Sequence, residues 1–283
     1  MIAVLGGLGA AICWAISALC ASAASRRIGA ASTLAWVMTI GLVLVVIPLA
    51  IAGNSHGLDG SAIGLLAIVG LTNVLGLQVE YVAFRRGKVG VITPIASTEG
   101  AIAALIAVVA GLHISLRTGV LLTVVTVGVI LAAAHPDPPE LARGASGTRS
   151  AVLAVPVAIV FGISLYATGR VGREVSVLWV LLPARLCGTL LLTAPMAARH
   201  RLQKPRSALP LVAGAGAAEV VGVLSYTFGA RHQLAVAAVL ASQFAALAAV
   251  GAYFAFGERL SRLQLAGLVV VAVGVALLAA EGP

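Results

Sequence analysis

The sequence predicts an all-α integral membrane protein in which ten transmembrane helices form two inverted five-helix repeats. Three observations predict it. Of 283 residues, 61% are hydrophobic and only 10% charged, against roughly 45–50% and 25% in ordinary soluble domains, and the mean hydropathy is +1.11. The apolar residues are gathered into continuous runs of membrane-spanning length. The two halves of the chain also repeat one another in order.

The composition rules down a soluble enzyme, a nucleic-acid binder and a secreted disulfide scaffold together. The net charge is +9, but the basic residues sit in short clusters between apolar runs. They form no continuous face for phosphates, so no nucleic-acid partner is expected. Cys13, Cys20 and Cys187 lie inside apolar runs with no neighbouring histidine or second thiol, and read as small buried apolar residues. The five histidines fall at or near span ends. No metal spacing, phosphate loop or acid–histidine cluster is present, so neither an enzyme nor a cofactor is expected.

A helix needs about 20 apolar residues, range 17–25, to cross the hydrocarbon. The first run, 2–24, has no basic residue before it and Arg26-Arg27 after it, which marks a transmembrane helix rather than a secretory leader. Four more follow at 32–52, 61–84, 89–111 and 116–134. The breaks Arg85-Arg86-Gly87-Lys88 and Leu112–Ser115 are short, so the helices they join are antiparallel neighbours. His135–Ser150, with its prolines and small polar residues, reads as a linker. The second half gives 151–169, 175–197, 207–230, 234–256 and 263–280. The runs are Ala/Leu/Val-rich and do not alternate, which argues against a β-barrel. The 32 glycines, with spacings such as Gly60/Gly64 and Gly100/Ala104, suit close helix packing in lipid.

The linker divides the chain into a first five-helix repeat, 1–134, and a second, 151–283. Val124–Ala134 (VVTVGVILAAA) and Val270–Ala280 (VVAVGVALLAA) share eight of eleven residues at an offset of 146. Ala11–Ser17 pairs with Ala158–Ser164 at 147, and Tyr81 with Tyr226 and Ser97 with Ser242 at 145. Three blocks in one order indicate duplication. Five spans per half, an odd number, force the second half into the membrane upside down, an architecture of secondary transporters with a site between the halves.

At this point the chain resembles the EamA family of the drug/metabolite transporter superfamily. The resemblance rests on the five-plus-five arrangement, on an aromatic at the matching point of each half's first helix (Trp14, Phe161), and on Gly257–Gly267, GERLSRLQLAG. Three residues depart from it. His113 stands where the first half would carry the glutamate of that stretch, and Gly100 and Ala245 stand where such families place a proline. The resemblance implies cytoplasmic termini. The charges imply the reverse: thirteen of the Lys and Arg residues fall in the loops after spans 1, 3, 5, 7 and 9, against four on the other side. The positive-inside rule then puts the linker in the cytoplasm of a multi-pass cell-membrane protein, and the charge count is followed here.

A charge at the bilayer centre costs about 2.5–3.5 kcal/mol on insertion scales, so each one needs a partner or a purpose. Arg185 and Glu219 sit near the middle of spans 7 and 8. They read either as an ion pair locking the two helices or as cavity groups, Arg185 for a carboxylate and Glu219 for an ammonium or a proton. Glu219, Gly222 and Tyr226 share one helix face, matched by Asn73, Gly76 and Glu80 in the first half. Glu80 itself reads as a residue near a span end that snorkels or pairs with Arg85 and Arg86. Glu99 is mid-span, with Thr93-Pro94 before it as a helix kink. Ser97 and its counterparts Ser242 and Gln243 fall at the same depth, and Trp14 supplies a wall. The candidate substrate or coupling-ion site is therefore Arg185, Glu219, Glu99, Asn73, Tyr226, Ser97, Ser242, Gln243 and Trp14.

The expected function is export of small amphipathic or zwitterionic, amino-acid-like metabolites by alternating access. The lipid bilayer is the surrounding partner, and a buried glutamate supplies a group for proton coupling. With no nucleotide-binding segment in the sequence, the expected energy source is a gradient or the substrate itself. A lipid-carrier flippase and a non-transporting membrane scaffold are the alternatives. Either a monomer or a homodimer is compatible with fused halves.

Overall fold

The structure is a computed structural model that describes residues 1–52, 60–86, 96–133, 145–244, 246–248, 250 and 261–280. Lys88, Thr93-Pro94, His56, His135 and Gly257–Leu260 of the family-like stretch lie outside the described residues. Among the described residues there is one helix in each predicted span and no strand. They are α1 (Ile2–Ile28), α2 (Ala30–Ala52), α3 (Gly60–Arg86), α4 (Glu99–Val109), α5 (Leu116–Ala133), α6 (Ala145–Val171), α7 (from Val177), α8 (Leu209–Ala230), α9 (Leu234–Ala241) and α10 (Arg262–Ala280). α7 runs from Val177 to Gly188, continues through a π-helical turn at Thr189–Thr193 and ends with Ala194–Ala198.

Among the described residues α1, α2, α3, α7 and α8 are long and apolar enough to cross a membrane, and the apolar parts of the other helices are shorter. Large aliphatic side chains such as Leu5, Ile12, Ile47, Leu71, Leu105, Leu191 and Val273 are exposed. A soluble protein rarely shows so much apolar surface, whereas hydrocarbon chains would cover it.

Four boundaries differ from expectation. α1 and α2 are joined by Gly29 alone, whose φ of 80° is in the left-handed region that favours glycine. α6 begins at Ala145 rather than near residue 151, because the last proline of the predicted linker is Pro139 and nothing in Ala145–Ser150 stops a helix. α4 begins only at Glu99, after a turn at Ser97-Thr98, and α9 ends at Ala241 before a turn at Ser242-Gln243. These breaks occur at matching points of the two halves without a proline in them. In the second, the Gln243 N–H donates to the Leu240 carbonyl at 3.3 Å, a three-residue step that tightens the helix.

Packing runs mainly between the halves. α1 lies along α8 and α3 along α6, while α2 meets α7, α4 meets α9 and α5 meets α10. Each half's third helix thus embraces the other half's first helix. Individual side chains reciprocate. Trp14 of α1 covers Gly222 of α8, and its counterpart Phe161 of α6 covers Gly76 of α3; a Cβ on either glycine would lie 2.5 Å from the ring. Met38 of α2 covers Gly188 of α7, and its counterpart Arg185 covers Gly41. Gly100 of α4 meets the Ala238 carbonyl of α9 and Ser242 just beyond it, where a Cβ would come within 2.5 Å, which accounts for glycine at that point. The Gly60/Gly64 spacing serves no such contact: among the described residues neither glycine has an atom within 4 Å of its Cβ position.

Candidate functional site

Each of the helices α1, α3, α6 and α8 turns one stripe of side chains towards the centre, as its sequence spacing dictates. α1 contributes Trp14 and Ser17, α3 Asn73, Leu77 and Glu80, α6 Phe161, Ser164 and Thr168, and α8 Glu219, Val223 and Tyr226. Glu99, from the first turn of α4, and Phe244, just beyond the break after α9, complete the wall. Together they enclose a cavity of about 60 Å³, room for a few waters.

Several wall residues stand at the sequence offsets of 145–147. Trp14 answers Phe161, Ser17 answers Ser164, Asn73 answers Glu219, Leu77 answers Val223 and Glu99 answers Phe244, while Tyr226 falls 146 residues after Glu80 and 145 after Tyr81. Every carboxylate stands opposite a neutral side chain.

Three acids converge here, with Glu80 at 5%, Glu99 at 3% and Glu219 at 6% exposure. Only Glu219 has an ion-pair partner among the described residues: Arg185 Nη2 lies 3.4 Å from its Oε2. Arg185, fully buried, is not part of the cavity wall. It sits behind Glu219 with its Nη1 3.4 Å from the Met38 sulfur, its stem against Gly41, and its Nε without a hydrogen-bond partner. Beyond it, the π-helical turn docks on α2 through Thr193, whose hydroxyl donates to the Ala35 carbonyl at 3.0 Å. The π turn inserts an extra residue into α7, a device frequent near functional sites.

Five of the nine candidates line the cavity: Trp14, Asn73, Glu99, Glu219 and Tyr226. The Glu219–Gly222–Tyr226 and Asn73–Gly76–Glu80 faces do point inward, each glycine seating the opposite half's aromatic. Ser97, Ser242 and Gln243 are buried at the two helix breaks without reaching the wall. The Ser242 hydroxyl donates to the Val239 carbonyl at 2.8 Å, and Gln243 Nε2 has no partner. Glu80 is placed differently from its reading as a snorkelling residue. α3 continues to Arg86, so Glu80 is more than a turn inside the helix end and faces the cavity. The i, i+3, i+7 face it shares with Asn73 carried that signal. Tyr81, Thr168 and Phe244 also line the cavity; nothing in the spacing singled out Thr168 or Phe244.

Tyr226 illustrates how the wall is held. Its ring stands 6.0 Å from that of Trp14, tilted by 41°, and its hydroxyl donates to the Leu165 carbonyl at 2.7 Å, tying α8 to α6. Tyr226→Phe deletes one buried hydrogen bond and is expected to cost about 1 kcal/mol, read as a lowered unfolding midpoint of the purified protein.

The comparisons with known proteins bear on the whole arrangement. Residues 1–134 match the sequence model of the EamA-like transporter family, part of the drug/metabolite transporter superfamily. No curated protein matches the chain. Among solved structures, one protein known from its crystal structure is similar over 99% of this chain and 98% of its own, with a TM-score of 0.75 at 16% identity. At that identity the likeness concerns the fold.

Proposed function

We propose, from the premise that this is a multi-pass membrane protein carrying an EamA-like transporter domain over residues 1–134, that it is a secondary transporter. It exports small amphipathic, amino-group-bearing metabolites by alternating access of two inverted halves. The observation that carries the reading is the cavity itself. It lies among α1, α3, α6 and α8, the helices through which the halves embrace, and its wall is built of repeat-related pairs. Reciprocal seating of Trp14 on Gly222 and Phe161 on Gly76 supports the inverted repeat, since a pseudo-twofold axis produces that exchange. The helix breaks at Ser97-Thr98 and Ser242-Gln243 support alternating access, because interrupted helices near a central site are a recurring transporter device.

At about 60 Å³ the cavity holds a few waters, and alternating access would widen it around a substrate. The charge distribution favours a cytoplasmic linker, and a proton gradient is the proposed energy source. In a non-transporting scaffold the central acids would be structural only.

The test compares metabolites in medium and cytosol of cells expressing intact protein or Glu219→Gln, at matched membrane levels. A compound class enriched outside only with the intact protein is expected. Equal export by both proteins would remove Glu219 from the mechanism, and no exported class at all would favour the scaffold or a lipid-carrier flippase.

A further inference from the structure

We infer that the group recognised in the cavity is an organic cation, held by Glu80 and Glu99 within a cage of aromatic rings, and that Arg185 does not touch it. The assignment rests on the transporter reading for its biological setting but not for its geometry.

Three observations carry it. First, among the described residues the wall contains three carboxyl groups and no lysine, arginine or histidine. Arg185 is matched to Glu219 from behind, so Glu80 and Glu99 are left without an opposite charge among the described residues. Buried charge of one sign is costly until a counter-charge enters, and the space in front of these two groups is where one can. A zwitterion brings the cation but also a carboxylate, for which the wall offers no cationic partner.

Second, both acids are more than nine-tenths buried and face the cavity. Beside them the Asn73 Oδ1 atom is buried with no hydrogen-bond partner among the described residues. All three are acceptors, which suits a ligand that donates or carries positive charge.

Third, the chain has only 13 aromatic side chains of the Phe, Trp and Tyr types, and five of them, Trp14, Tyr81, Phe161, Tyr226 and Phe244, converge on this cavity. Aromatic faces around a desolvated cation attract it through the ring quadrupole, and this is the usual construction of quaternary-ammonium sites. Apolar packing alone would call for leucine or valine, which this sequence uses freely elsewhere.

Three small compounds separate the possibilities because they share one bulky head and differ in charge: choline (cation), betaine (zwitterion) and 3,3-dimethylbutanol (neutral). Binding to the purified protein in detergent micelles is measured by calorimetry. Choline is expected to bind at least ten-fold more tightly than either of the others. Glu80→Gln and Glu99→Gln, checked for a native elution profile, are each expected to weaken choline binding at least ten-fold. Betaine binding as tightly as choline would overturn the assignment in favour of a zwitterion site. Equal binding of 3,3-dimethylbutanol, or no binding of choline, would also overturn it. These comparisons on the unmodified protein stand even if a variant fails to fold. Reconstitution in liposomes then separates the two readings. Choline binding without saturable uptake would sink the transporter and leave the cation site, whereas saturable movement of other metabolites without choline binding would do the opposite.

Discussion

Arg185→Met alone is expected to destabilise the protein by about 3–5 kcal/mol, the usual consequence of removing one partner from a buried ion pair. Glu219, at 6% exposure, would be left buried with no cation behind it. Arg185→Met combined with Glu219→Asn is expected to recover most of that loss. The reason lies in the repeat: the first-half counterparts of Arg185 and Glu219 are Met38 and Asn73. Met38 already fills the groove over Gly188, as Arg185 fills the one over Gly41, so the double variant imposes a packing that the fold already contains. A neutral replacement of a buried pair is often harmless or better. Unfolding midpoints of the two single variants and the double variant in detergent give the coupling directly. A double variant as unstable as the sum of the singles would mean that the two side chains do not act as a pair.

The second large effect concerns the seam between the halves. Gly6→Leu is expected to lower stability by about 3 kcal/mol or more, at the upper end of overpacking losses, and to reduce the amount of folded protein recovered from membranes. A Cβ at Gly6 would stand 2.6 Å from the Gly229 Cα and from the Ser225 carbonyl oxygen. Those atoms are backbone, so no rotamer change can make room, and α1 would have to move off α8. Gly64→Leu is the control. Its Cβ position meets nothing among the described residues, and the change is expected to stay within about 0.5 kcal/mol. Comparable losses at both positions would mean that glycine content matters for the chain generally, and not for this close approach.

The site was half legible beforehand, and the reasons differ residue by residue. Glu219, Asn73 and Tyr226 were readable because a polar side chain deep in an apolar run has few explanations, and because the repeat put two of them at one depth. Glu80 was misread from its distance to Arg85 and Arg86 along the chain. Whether an acid near a helix end turns outward or inward depends on which neighbour covers it, and α3 lies against α6 of the other half. Arg185 read either as an ion-pair partner of Glu219 or as a cavity group; it lies 3.4 Å from Glu219, and which side of Glu219 it takes was not readable. Sequence depth fixes how far along the membrane normal a residue lies, and says nothing of whether it faces the axis or stands behind the group that does. Phe244 and Thr168 left no signal, since an aromatic and a threonine in apolar helices are ordinary.

By itself the sequence determined the helical membrane character and the number and order of the helices among the described residues. These follow from composition and run length, both local or one-dimensional properties. The tertiary structure decided which faces meet. It brought two first-half acids, Glu80 and Glu99, to the same space as a second-half acid, and it withdrew Arg185 to the far side of Glu219. A helix in lipid gains little from hiding its apolar faces from one another, so its rotation is set by close packing of small residues and a few polar contacts. Those contacts join residues far apart in the chain, as Trp14 joins Gly222, and they exist only once both halves are folded together.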